Sequence, residues 1–174
     1  MKEIEVKILE INRKQCEEIL EQLGAQKIFE EDMITYAFDF QNSELKNKNQ
    51  ILRLRKESNS QVLGFKEMIS QAEAKEMIEI ETEVSSFEST KLLLEKIGFQ
   101  IWAKTNKTRI SYKIDNTRFD FDKYHDKYEF IPEFLEIESD NFETIKEFSS
   151  KLGFQEKDLK SWTFKDLLQK YQRN

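Results

Sequence analysis

Residues 3–8 read Glu-Ile-Glu-Val-Lys-Ile, and residues 134–139 read Phe-Leu-Glu-Ile-Glu-Ser. Both alternate charged and apolar side chains with a period of two, the pattern of a strand with one polar and one apolar face. In the first, Glu3, Glu5 and Lys7 share a face and Ile4, Val6 and Ile8 take the other. In the second, Glu136 and Glu138 share a face. A glutamate pair thus recurs at the two ends of the same set of strands.

The pattern continues between them. "ILRLRKE" (51–57) sets Arg53 and Arg55 against Leu52 and Leu54, and "VLGFKEMI" (62–69) reads as its hairpin partner across "SNSQ". "MIEIETEV" (77–84) sets Glu79, Glu81 and Glu83 against Ile78, Ile80, Thr82 and Val84. "FQIWAKTNKTRISYKI" (99–114) is a strand pair or one bent strand that carries Lys107, Arg109 and, further along, Lys113. "RFDFDKY" (118–124) puts Arg118, Asp120 and Asp122 opposite Phe119 and Phe121. Residues 26–40 read as extended but alternate poorly, and the polar stretch 41–50 reads as a loop.

Four helices are expected. Asn12 caps the first, with an apolar stripe of Cys16, Ile19, Leu20 and Leu23 and a stop at Gly24. Ser85 and Glu88 have capping-box spacing for the second, which runs to Gly98. Asp140 and Glu143 cap the third, which ends at Gly153. The fourth, within 161–171, gathers Phe164, Leu167, Leu168 and Tyr171 on one side.

There is an internal repeat. "EIETEVSSFEST" with "EKIGFQ" and "LEIESDNFETI" with "SKLGFQ" superpose without gaps, with 17 residues from Glu81 to Gly98 and 17 from Glu136 to Gly153, and Phe87 matching Phe142. The N-terminal unit has the same shape with different spacing. Three strand–helix units point to a symmetric architecture in one domain spanning 1–174.

Composition narrows the function. The 174 residues carry a net charge of −6, are 36% charged and include 14 Phe. So many aromatics argue against disorder, and the negative charge argues against generic nucleic-acid binding. The single cysteine, Cys16, excludes an internal disulfide or a cysteine-based zinc site, and the single histidine, His125, excludes a histidine cluster. With only 4 Gly there is no P-loop or dinucleotide fingerprint. No apolar run is long enough for a membrane span, and Met1-Lys2-Glu3 does not open a secretory signal, so a cytoplasmic location is expected. His125 reads as a solvated loop residue, Cys16 as core, and Trp102 and Trp162 as packing. An exposed Phe cluster is compatible with a homodimer.

Charged faces on strands are ordinary when they meet water. Here, however, the charges are sorted by strand, and the helices suffice to cover the apolar faces. If the sheet closes into a barrel, the charged face becomes the interior. Buried acids and bases need partners or a ligand. A phosphate-rich anion with a hard divalent cation supplies both, since bases grip phosphate oxygens and carboxylates hold the cation. Lys66 is less certain as a member of that face, because its same-face neighbours Val62, Gly64 and Met68 are uncharged.

The residues also resemble a known family. Glu3-x-Glu5-x-Lys7 is similar to the ExExK signature of the CYTH superfamily, the triphosphate tunnel metalloenzymes. "LRLRK" resembles its paired arginines, "FKE" its strand lysine, "KTR" its K-x-R, "FDFDK" its aspartate strand and "EFLEIES" its late ExE strand. "PEFLEIE" looks most like the class IV adenylyl cyclase-like branch. Ile34 stands where that branch often has an Asp. "LKSW" resembles a C-terminal element, with Lys160 as a phosphate ligand and Ser161 as a helix cap. The resemblance implies an α+β fold, a closed antiparallel β-barrel with amphipathic helices outside, and a Mg²⁺- or Mn²⁺-dependent enzyme. The implied substrates are triphosphates such as inorganic triphosphate, ATP or thiamine triphosphate.

It further implies that Glu3, Glu5, Glu136 and Glu138 hold one metal, and that Asp122, with Asp120, Glu81 and Glu83, holds a second or orients the attacking group. Lys7, Arg53, Arg55, Lys66, Lys107 and Arg109 bind the triphosphate, and Lys7, Asp122 and Arg109 are the catalytic set. Hydrolysis is favoured, because no base-recognition pocket is evident. A class IV cyclase making cyclic AMP and pyrophosphate, or a non-catalytic polyphosphate or nucleotide binder, are the alternatives.

Overall fold

The computed structural model describes residues 2–57 and 60–172. Eight strands form it: β1 (Lys2–Ile8), β2 (Gln26–Asp39), β3 (Gln50–Lys56), β4 (Gln61–Gln71), β5 (Lys75–Glu83), β6 (Gln100–Ile114), β7 (Thr117–Tyr124) and β8 (Phe134–Ser139). Their order is β1-β5-β4-β3-β2-β6-β7-β8, and β8 pairs back onto β1, so the ring closes as an antiparallel barrel. The helices are α1 (Arg13–Gln22), α2 (Glu44–Asn47), α3 (Phe87–Lys96), α4 (Phe142–Lys151) and α5 (Phe164–Tyr171).

The apolar faces of the strands point outward, and helices cover those of β1, β7 and β8 and part of those of β2 and β3, whereas Ile78 and Ile80 of β5 and Ile69 of β4 stay exposed, so the helices do not suffice to cover the whole apolar face. Ile4, Val6 and Ile8 of β1, Phe119 and Phe121 of β7, and Leu135 and Ile137 of β8 pack against Cys16 and Leu20 of α1 and Ile145 and Phe148 of α4. The Phe119 and Phe148 rings meet edge to face at 5.3 Å. On the other side, Phe38 and Leu54 pack against Phe87 and Leu94 of α3. Burying these side chains contributes about 1.5–3 kcal/mol each, and it commits the charged faces to the interior.

The repeat is visible in the helices. In α3 and α4, Phe87 and Phe142 are the first helical residues, and Ser86 and Asn141 cap them. Both helices close with the same reversed bond, Phe99 N to Leu94 O at 3.0 Å and Phe154 N to Ser149 O at 2.9 Å. Gly98 (φ 106°) and Gly153 (φ 89°) supply the left-handed residue this closure needs.

Several expectations are corrected. The caps are Ser86, Asn141 and Thr163, rather than Ser85, Asp140 and Ser161. Phe87 and Phe142 have to face their cores from the first turn, and that sets each start one residue later than the acidic spacing suggests. The polar stretch 41–50 is not all loop: it holds α2 and the first residue of β3. The Asp39 carboxylate organises it by accepting from Leu45 N at 2.9 Å and Lys46 N at 3.0 Å. Residues 100–114 form one strand. Of the expected "SNSQ" connection, Ser58 and Asn59 lie outside the described residues.

The C-terminal segment is tied to one end of the barrel. Lys7 and Lys160 exchange backbone bonds at 2.8 and 2.9 Å. Thr163 and Asp166 form a reciprocal capping box, and Gln71 donates to Asp166 at 3.3 Å. Burial of Asp166 opposes its charge, but the Thr163 hydroxyl and backbone N–H outweigh it and hold its pKa below the ordinary 3.8. Asp166→Ala is therefore expected to cost about 1 kcal/mol at neutral pH. A depressed pKa means that this contribution is present above the unfolded value and lost as pH falls through the folded one. Denaturant midpoints of the two proteins should differ at pH 7 and converge at strongly acidic pH.

Candidate functional site

Strand register answers the question raised by the two glutamate pairs. β1 and β8 are neighbours, with Glu5 directly opposite Glu138 and Lys7 directly opposite Glu136. The same interior rows continue into β7, where Arg118 faces Glu138 and Asp120 faces Glu136, and into β6, where Ser111 faces Asp120 and Arg109 faces Asp122. On the other side of β1, Lys75 faces Glu5. Two glutamates placed directly opposite each other are unfavourable without a cation.

Bases supply that positive charge. Lys7 pairs with Glu136 and, at 3.1 Å, with Glu5. Lys66 lies 2.7 Å from Glu3 and 2.9 Å from Glu79, so it does belong to the interior. Arg109 grips Asp122 through Nε and Nη2 at 2.7 and 2.6 Å, Asp120 through Nη1 at 2.5 Å and Glu136 at 3.3 Å. Lys107 also meets Asp122, at 2.6 Å. Arg53 bridges Glu79 at 2.7 Å and Glu81 at 3.0 Å, and Arg55 reaches Glu57 at 2.6 Å and Glu81 at 3.3 Å. The absent side chain of Gly64 makes room here, because a Cβ would stand 3.1 Å from Glu81 Oε1.

The charge states follow from these pairings. Burial works against the ionised form of Glu5, and Glu136 adds to this, but Lys7 and Lys75 outweigh both and hold its pKa at about 2. Burial likewise opposes ionised Asp122 and Glu136; Arg109 and Lys107 keep the first below its usual value, and Lys7 and Arg109 the second. Burial, reinforced by Arg109, pulls Lys107 down to about 8. Glu3 goes the other way: burial raises its pKa despite Lys66, and a hydrogen bond shared with Glu138 adds to the rise.

A cavity opens at one end of the interior, and aromatic rings stand at the other. A cavity of about 240 Å³ opens among Ile28, Phe29, Met33, Arg53, Arg55, Glu57, Glu79, Glu81, Arg109, Ser111 and Arg118. At the far end the charges stop on aromatic rings: Lys7 Nζ lies 5.8 Å from the Phe134 ring and Lys107 Nζ 5.9 Å from that of Tyr124. Packed with those rings, Ile131, which precedes β8, and Leu167 of α5 are fully buried.

Most of the residues expected from the sequence converge on this interior: Glu3, Glu5, Lys7, Arg53, Arg55, Lys66, Glu81, Lys107, Arg109, Asp120, Asp122, Glu136 and Glu138. Three placements differ. Glu81 joins Arg53 and Arg55 rather than Asp122. Glu83 sits at the exposed end of β5 with no ion pair among the described residues. The Lys160 ammonium turns back onto the Lys157 carbonyl.

Lys75 was missed, because it stands at the start of β5 beside uncharged Met77 and its partner Glu5 is on another strand. Arg118, placed on the charged face but given no role, lines the mouth and pairs with Glu138 and with Asp120. Outside the barrel, His125 is half-buried and bonded to Thr108 Oγ1 at 2.7 Å rather than solvated. Trp102 is exposed beneath Lys46, whereas Trp162 packs in the α5 core.

The donor chemistry suits a hard divalent cation. The acidic groups offer only oxygen ligands, Asp120 Oδ1 is buried without a hydrogen-bond partner, and burial raises the pKa of Glu3, which a bound cation would lower again. Among the described residues no three acidic side chains form a ready-made cage, since each carboxylate is turned onto a base. A cation would take Glu3, Glu5, Glu136 and Glu138 from those bases and free them for an anion.

Comparison with known proteins agrees with the fold. The CYTH domain model matches residues 1–164. No curated protein matches the chain. Among solved structures, a Pyrococcus horikoshii protein is 25% identical with a TM-score of 0.79, covering 95% of this chain and 98% of its own. A candidate adenylate cyclase from Vibrio parahaemolyticus is 17% identical with a TM-score of 0.80, covering 96% and 97%. A candidate adenylyl cyclase from Hippeastrum, with a dominant triphosphatase activity, is 15% identical with a TM-score of 0.69, covering 99% and 96%. No helix is long and apolar enough to cross a membrane.

Proposed function

Because this chain belongs to the CYTH domain family, we propose that its barrel interior is the active site of a Mg²⁺- or Mn²⁺-dependent enzyme that hydrolyses a triphosphate. The observation that carries this reading is the facing pair Glu5 and Glu138, set among the buried Lys7 and Lys66, the partly buried Lys75 and Arg109, and Arg118 at the mouth. An acid-only cavity would suit a cation alone, and a basic one an anion alone; this interior is built for both together.

Lys7, Lys66, Arg53, Arg55, Lys107 and Arg109 bind phosphate oxygens, the arginines through paired N–H groups. Arg53 Nε is already buried without a hydrogen-bond partner. Arg109 and Lys7 stabilise charge that builds on the transferring phosphoryl group, where positioning and electrostatics dominate. Asp122, next to Arg109 and Lys107, orients the attacking water. Glu3, Glu5, Glu136 and Glu138 would hold the divalent cation, which would supply Lewis-acid neutralisation of the phosphate oxygens. The buried walls exclude bulk water from the rest of the chain of phosphates.

Phosphorus NMR of products tests this directly. The protein is incubated with Mg²⁺ or Mn²⁺ and, separately, inorganic triphosphate, ATP and thiamine triphosphate. Orthophosphate release that is lost in Glu5→Ala is the expected result. Cyclic AMP with pyrophosphate from ATP would replace hydrolysis by cyclisation. Stabilisation by triphosphate without turnover would leave a binding protein.

A further inference from the structure

We infer that Lys75 is a fixed internal counter-ion of Glu5. It holds down the barrel's affinity for a free divalent cation and raises its affinity for a triphosphate, so that the cation is bound tightly only together with the anion. Lys75 is then a positioning residue that acts through Glu5, and the inference rests on the triphosphatase reading of the interior.

Strand register sets out one row of charges across four strands. Lys75 of β5 faces Glu5 of β1, Glu5 faces Glu138 of β8, and Glu138 faces Arg118 of β7. The row runs plus, minus, minus, plus. Each outer base pairs with the glutamate it faces, Lys75 with Glu5 and Arg118 with Glu138. Lys7 also reaches Glu5, at 3.1 Å, but is shared with Glu136. Two glutamates directly opposite each other repel, and here the chain itself neutralises them, one base apiece. A divalent cation held by both adds two positive charges to a row that already balances.

The two outer bases differ in their freedom to make way. Arg118 lines the cavity and its side chain is 39% exposed, so its guanidinium can turn to solvent or to an anion when a cation takes Glu138. Lys75 is confined. Its side chain is 12% exposed, and its backbone is paired with Glu5 on one side and Gln71 on the other. The next residue on its face of β5, Met77, is buried and uncharged, and among the described residues Glu5 is its ion-pair partner. The ammonium therefore stays beside Glu5 when a cation binds there. In a poorly screened interior a fixed positive charge at that distance repels the cation and attracts phosphate. The anion, once bound, offsets that repulsion.

Calorimetric titration of Mn²⁺ alone, and of inorganic triphosphate alone, into wild type, Lys75→Met and Lys75→Arg tests this, with a thermal melt of each protein. In Lys75→Met, Mn²⁺ is expected to bind about 10-fold more tightly than in the wild type and inorganic triphosphate about 10-fold more weakly. Lys75→Arg keeps the charge and should keep the wild-type values. Opposite shifts in the two affinities are the mark of a charge, whereas loss of a structural contact weakens both. Lys75→Gln, which can still donate to Glu5, supplies the uncharged side chain if Lys75→Met does not fold, with the same expected shifts. An Mn²⁺ affinity that does not rise, or a triphosphate affinity that does not fall, in the uncharged variant overturns the counter-ion role and leaves the triphosphatase reading in place. Failure of the wild type to bind triphosphate together with Mn²⁺ overturns both.

Discussion

Arg109→Met is expected to destabilise the protein by about 3–5 kcal/mol, the range for removing one partner of a buried ionic network, and to lower triphosphate turnover by about 100-fold or more. Arg109 is the hub of the basic half of the interior. It meets Asp120, Asp122 and Glu136 at 2.5, 2.6 and 3.3 Å, and all three carboxylates are buried. Without it, Asp122 retains Lys107 and Glu136 retains Lys7, but Asp120 keeps only Arg118. Carboxylates left underpaired in the interior take up protons, so the loss should shrink as pH falls. The variant should also be stabilised by triphosphate less than the wild type is. Denaturant midpoints with and without ligand, and kcat/KM, measure both effects.

Glu138→Gln is expected to do the opposite to stability. Glu138 faces Glu5 across the β1–β8 ladder and adds to the rise in the Glu3 pKa, and among the described residues its ion-pair partner is the half-exposed Arg118. Removing its charge relieves repulsion among three carboxylates, so stability should stay within about 1 kcal/mol of the wild type or rise. Metal-dependent turnover should fall by about 100-fold or more, partly rescued by raising the Mg²⁺ concentration. A residue whose loss leaves the fold intact and stops the reaction is one held in place for function. If Glu138→Gln unfolded the protein instead, the acidic pair would be a structural device.

How far the sequence revealed this arrangement depended on where each residue's partner lies. β1, β5, β7 and β8 alternate regularly, so their inner faces were legible, as was the closure that turns those faces inward. β2 was not, because register breaks after Lys27 and Ala37 interrupt the period, and one of these shapes the mouth. Lys66 looked out of place because its own strand neighbours are uncharged; its partners Glu3 and Glu79 belong to other strands. Lys75 was hidden for the same reason. Helix starts were read one or two residues early, because Ser, Asp and Asn are adjacent there and only the inward-facing Phe87, Phe142 and Phe164 decide among them. The aromatic end of the interior could not be read at all: it arises from Leu167 and Phe164 packing with Tyr124 and Phe134, residues distant in the chain.

Titration calorimetry of inorganic triphosphate into the wild-type protein, with and without Mg²⁺, tests the central claim most directly: that facing carboxylates and bases in a closed barrel hold an anion and a cation together. The expected result is one triphosphate bound per chain, more tightly with Mg²⁺ present, with that metal dependence lost in Glu138→Gln. Binding that Mg²⁺ leaves unchanged, or no binding under either condition, would contradict it.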